Sequence, residues 1–148
     1  MFFYQFFDIK NNSPYILGMD NSIRQLLPKN KSDTASADSL VQLGYPAVEP
    51  ILSELLFWLQ DEKWLSGQHL LPLLRNIGMP LVPHLRKVFE TDNIEWQANV
   101  IYDVILYNHD LIKEFNDILV NMRNALLPDY HYLVDIVDTT LNKHIKWM

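Results

Sequence analysis

Apolar residues recur at helical spacing along most of this chain. Val48, Ile51, Leu52, Leu55, Leu56 and Leu59 stand at steps of 3, 4, 7, 8 and 11, one continuous stripe on a helix of 3.6 residues per turn. Pro46 is expected at the first turn of that helix, where its missing N–H costs nothing. Upstream, Ser32 or Asp33 caps a predicted helix that runs to Leu43 and ends on Gly44. A shorter helix over 20–27 would begin at Asp20 or Asn21 and stop before Pro28. Residues 1–19 break the pattern: Met1-Phe2-Phe3-Tyr4-Gln5-Phe6-Phe7 is aromatic, and Asn11-Asn12-Ser13-Pro14 with Gly18 punctuates a turn. That stretch is expected to be an aromatic arm packed on the core. It has no basic start and no cleavage site of a secretory signal, and no run approaches the ~20 apolar residues that span a bilayer.

The pattern repeats. Gly44-Tyr45-Pro46 recurs as Gly78-Met79-Pro80 at an offset of 34, with Val48 matching Val82, Ile51 matching Leu85 and Leu55 matching Phe89. Asp61-Glu62-Lys63-Trp64 resembles Asn93-Ile94-Glu95-Trp96 at an offset of 32, each leading into a second amphipathic helix. A weaker third copy sets Asp110-Leu111-Ile112 against Pro80-Leu81-Val82 and continues through Phe115, Ile118 and Leu119. Pro128 restarts the chain into a last helix with Leu133, Ile136, Val137, Thr140, Leu141 and His144 on one stripe. Repeats of this length made of helix pairs bury their apolar faces by stacking. The predicted fold is therefore all-α: a HEAT-like α-solenoid of about three helical hairpins, over 46–77, 80–107 and 109–147. Residues 1–44 supply the arm and capping helices. Residues 1–148 are read as a single domain.

Leu26-Leu27-Pro28-Lys29-Asn30-Lys31-Ser32-Asp33-Thr34, and then Leu43-Gly44-Tyr45-Pro46-Ala47-Val48-Glu49-Pro50, resemble an uncharacterised bacterial family of HEAT-like helical domains, domain of unknown function 5071. The likeness continues through Leu59-Gln60-Asp61, Trp64 and Gly78-Met79-Pro80-Leu81-Val82-Pro83-His84 to about residue 105. It implies the fold and carries no activity.

Composition narrows the function. The 148 residues are 49% hydrophobic, contain no Cys and carry a formal net charge of -6. A chain of this size suits one domain, which buries roughly 68–70% of its unfolded surface. Without Cys there are no disulfides, thiolate metal sites or cysteine nucleophiles. The acidic balance argues against direct nucleic-acid binding, including the alkylated-DNA chemistry of some HEAT-like proteins, because phosphates need a cationic face. Residues 1–87 sum to zero charge, whereas residues 88–138 hold ten acids against Lys113 and Arg123. The expectation is a soluble cytoplasmic domain whose acidity belongs to one third of its length.

Catalytic signals are sparse. His109-Asp110, with His84 upstream and Asp135 or Asp138 downstream, resembles the metal-ligand order of HD-type phosphohydrolases. The simpler reading makes Asp110 an acid in a first helical turn, where the macrodipole favours it. His131, Asp135, Asp138 and Asn142 share one helix face, which is also the polar face opposite Leu133, Ile136 and Val137. There is no Gly-x-Ser-x-Gly, Ser66-Gly67-Gln68-His69 lacks a strand-to-helix setting, and four Gly leave no room for a phosphate loop. No enzyme activity and no cofactor are expected.

The polar stripes say more. Asp110, Glu114 and Asp117 continue into Asn121 and Asn124 along one predicted helix, and Glu95, Asn99 and Asp103 line another. On solenoid logic the second set lies beside His131, Asp135 and Asp138, with Asp110, Glu114 and Asp117 on the opposite, first-helix side or at its edge. Trp58 projects from the flank of its stripe as a further candidate contact, while Tyr102, Tyr107, Tyr130 and Tyr132 are expected mainly in the core. Crowded like charges add no stability and suit a basic partner. The resulting expectation is a non-enzymatic bacterial immunity protein: a monomer alone, or a heterodimer with a basic nuclease-type toxin domain, with no membrane role. The alternatives are a general HEAT-like adaptor, or a metal-dependent phosphohydrolase using His84, His109 and Asp110.

Overall fold

The computed structural model describes residues 22–125 and 131–147, with side chains in the last helix from 132 to 143. Every regular element among them is helical. They are α1 (Thr34–Leu43), α2 (Leu52–Phe57), α3 (Leu65–Ile77), α4 (Val82–Phe89), α5 (Ile94–Asp103), α6 (His109–Glu114), α7 (Asn116–Ala125) and α8 (His131–Trp147). Short 3₁₀ turns lie at Glu49–Ile51, Met79–Leu81 and Ile105–Tyr107. The aromatic arm, Asp20, Asn21, Tyr130 and the turn at Pro128 lie outside the described residues.

Cap chemistry sets the starts. Asp33 accepts from the Ser36 amide at 3.2 Å and so caps α1, which ends on Gly44 at φ +76° with the Gly44 amide on the Leu40 carbonyl. Asn93 accepts from the Trp96 amide at 3.0 Å, and Asn108 from the Leu111 amide at 3.1 Å, to start α5 and α6. Ser66 is buried and fastens α3 to the loop before α1: its hydroxyl donates to the Asn30 carbonyl at 2.6 Å and its amide to the Lys31 carbonyl.

Several expected boundaries move. Pro46 does not open an α-helix. It follows a cis peptide bond in a turn, and a 3₁₀ turn at Glu49–Ile51 precedes α2. An α-helical register would place the N–H of residue 50 on the Pro46 carbonyl, but Pro50 has none, and the Glu49 amide takes that carbonyl at 3.0 Å. The second copy repeats the device, since Pro83 cannot reach the Met79 carbonyl and the Val82 amide bonds it instead. The helix expected through residue 107 ends at Asp103, and the one from 109 is divided at Phe115 (φ -99°, ψ 11°). The Phe115 ring is fully buried there, 5.5 Å from that of Phe89. In the described part of 20–27, residues 22–24 are helical before the chain turns with i→i+3 bonds.

The predicted stripe is the core. Val48, Ile51, Leu52, Leu55, Leu56 and Leu59 are all buried, joined by Leu70, Leu74, Leu81, Leu85, Ile101, Ile112, Leu119, Leu133 and Val137. Helices pack on chain neighbours (α2 on α3, α4 on α5, α7 on α8) and on partners further along: α1 on α3, α2 on α4, and α5 and α6 on α8. Two side chains of α5 tie it to the end of α2. The Trp96 indole N–H donates to the Leu56 carbonyl at 2.9 Å, and the Asn99 amide donates to the Leu59 carbonyl at 2.8 Å. The Leu56 carbonyl also accepts from the Leu59 amide at 3.0 Å, so the indole is its second donor, whereas the Leu59 carbonyl lies just past the end of α2.

Candidate functional site

Glu95, Asn99 and Asp103 stand one turn apart on α5 and open onto a groove of about 520 Å³ between α3, α5 and α8. Glu62, Lys63 and Gln68 form its opposite wall. From α8 come Tyr132 and Ile136. Asp135 is exposed outside this lining, and the side chain of His131 is not described. Tyr102 and Tyr132 line the groove and are 52% and 50% exposed, so neither is the core residue expected for these tyrosines. Tyr102 lies just off the buried α5 stripe of Gln97, Ala98, Val100 and Ile101. Tyr107 is also half exposed, under the Arg75 guanidinium at 3.8 Å and the Lys143 ammonium at 5.7 Å.

Asp103 is partly buried, and desolvation holds its carboxyl above the usual carboxylate range. Arg75 pulls the other way, and the negative charge of Glu62 adds to the rise. Arg75 also donates from Nε to the Asp103 backbone carbonyl at 2.7 Å, which fixes α3 against the end of α5. The groove is thus anionic, with one carboxylate poorly solvated.

The remaining candidates are dispersed. Asp110 and Asp117 are exposed, in the first turns of α6 and α7. Glu114 pairs with Arg86 of α4 at 2.5 Å, and Asp138 pairs with Arg123 at 2.6 Å. Trp58 lines a different groove and packs edge-on against Phe57 and Trp64 at 5.5 and 5.7 Å. His84 reaches Ser53 of α2, its Nδ1 lying 2.9 Å from the Ser53 hydroxyl, and His109 opens α6. Among the described residues, no three His, Asp or Glu converge to hold a metal ion. Sequence reasoning missed the groove's second wall and the pairing of His69 with Asp38 at 2.9 Å, because both join residues about 30 positions apart.

Residues 26–128 match the family described as Domain of unknown function (DUF5071). The chain belongs to this family. The match takes in α1 to α7, and with them both proline-started helix pairs and the Glu95–Asn99–Asp103 wall of the groove. All of α8, including Tyr132 and Ile136, lies beyond the DUF5071 match. No curated protein matches the chain in sequence. No described helix is long and apolar enough to cross a membrane.

Proposed function

We propose that this DUF5071 protein is a non-enzymatic binding module, a HEAT-like stack of helix pairs that holds a basic protein in the groove between α3, α5 and α8. The observation that carries the reading is the lining of that groove: Glu62, Glu95 and Asp103 lie with the half-exposed rings of Tyr102 and Tyr132. Carboxylates steer a cationic partner and exclude acidic ones, and exposed tyrosines supply contact area at small entropic cost. A nuclease-type toxin domain presents such a cationic surface, because it must bind phosphates. The reading is therefore of a cytoplasmic bacterial immunity protein that occupies a toxin's nucleic-acid cleft.

The test is affinity for the toxin domain encoded beside it, measured by calorimetry across a salt series. Reversing Glu95 and Asp103 together to Lys is expected to weaken binding at least tenfold and to flatten its salt dependence. Unchanged affinity and slope would remove the acidic-groove mechanism.

A further inference from the structure

A second concave region shares no lining residue with the acidic groove. It consists of an apolar trough of about 440 Å³, walled by Leu27, Pro28, Phe57, Trp58 and Trp96, and a smaller cavity of about 150 Å³ holding His84, Lys87 and Thr91. Ser53 and Trp96 line both, so the two adjoin. Together they fall within the span of small-molecule sites, roughly 300–1,000 Å³.

The polar end has a definite hydrogen-bonding capacity. A neutral His84 ring carries one N–H and Ser53 carries one O–H, and their 2.9 Å contact uses one of these two hydrogens. One hydrogen is left for a ligand in either tautomer. Thr91 offers none, since its hydroxyl donates to the Val88 carbonyl at 2.7 Å. Lys87 is exposed and supplies the positive charge. Glu54, at the trough's edge, is paired with Arg24. One cation and one spare donor suit a singly charged head better than a phosphate dianion, and the aromatic trough suits an apolar tail.

We propose that this site binds a small monocarboxylate with an apolar tail: the carboxylate on Lys87 and the Ser53–His84 pair, the tail along Phe57, Trp58 and Trp96. The full chain is titrated with octanoate and with octanamide, followed by calorimetry and by the fluorescence of the tryptophans. Octanoate is expected to bind saturably, and about tenfold more tightly than the uncharged octanamide. Lys87→Ala and Ser53→Ala alter exposed side chains, and each is expected to weaken octanoate several-fold without moving the unfolding midpoint. Equal binding of acid and amide, absence of saturable binding, or octanoate affinity unchanged in Lys87→Ala would overturn the proposal. So would tighter binding of a blocked tripeptide ending in a free Phe carboxylate than of octanoate, because the natural occupant would then be a protein C-terminus.

Discussion

Gly67 of α3 faces the backbone of Trp58 so closely that a Cβ at Gly67 would lie 2.1 Å from the Trp58 carbonyl oxygen. A helical glycine costs ~1 kcal/mol relative to alanine, so its presence at the third position of α3 reflects this approach and not a local preference. Gly67→Ala must push α3 away from the end of α2. The expected net loss is about 2–3 kcal/mol, despite the gain in helix propensity, and urea unfolding would show it. A neutral or stabilising result would mean that the two helices separate freely.

The clamp from α5 onto α2 gives a second expectation. Trp96→Phe removes the indole donor to the Leu56 carbonyl, and Asn99→Ala removes the donor to the Leu59 carbonyl. Each lost bond is expected to cost about 1 kcal/mol, with Trp96→Phe the larger because it also removes volume. Equilibrium unfolding of each variant measures this. Because Asn99 is held in this way, its contribution to partner binding should be small beside that of Glu95.

Asp103 should make stability depend on pH. Its folded pKa lies above the unfolded value, chiefly through desolvation. The folded chain therefore keeps its proton to higher pH than the unfolded chain, and stability falls as pH rises through that window. The loss persists at neutral pH. Asp103→Asn is expected to raise the urea midpoint at pH 7, with the advantage shrinking towards pH 3, where the carboxyl is neutral in both states. An equal shift at both pH values would point to packing instead of charge. If the groove binds a basic partner, the same substitution stabilises the fold while weakening the complex.

Not every acidic candidate should matter equally for binding. Glu114 and Asp138 already face Arg86 and Arg123, whereas Glu95 is exposed in the groove. Glu114→Gln and Asp138→Asn are expected to change affinity for a basic partner less than threefold. Glu95→Gln should change it more. Stability should move by no more than about 0.5 kcal/mol in the two paired variants, as is usual for exposed ion pairs. Titration calorimetry and thermal unfolding of the three proteins check both statements.

Features written within one or two turns were legible before any coordinates. The caps at Asp33 and Gly44 and the buried stripe from Val48 to Leu59 lie where spacing places them. The late starts of α2 and α4 are also local, set by Pro50 and Pro83, whose missing N–H groups force the tighter turn, but the expectation of a helix opened by Pro46 passed over them. The division at Phe115 was not, because its ring is seated by Phe89 on another helix.

The site divides in the same way. Periodicity alone put Glu95, Asn99 and Asp103 on one face of a helix. Only the packing of α5 against α8, with Arg75 of α3 fastened to the Asp103 carbonyl, turned that face into a groove, brought Glu62 and Tyr132 into its walls, and desolvated Asp103. Only packing turned Asn99 back onto Leu59, left Tyr102 half exposed, and made Gly67 a requirement. The sequence by itself determined the helices, because capping and amphipathic spacing act over a few residues. Tertiary structure decided which faces meet, because a distance between side chains some 30 positions apart depends on helix crossings that no local pattern records.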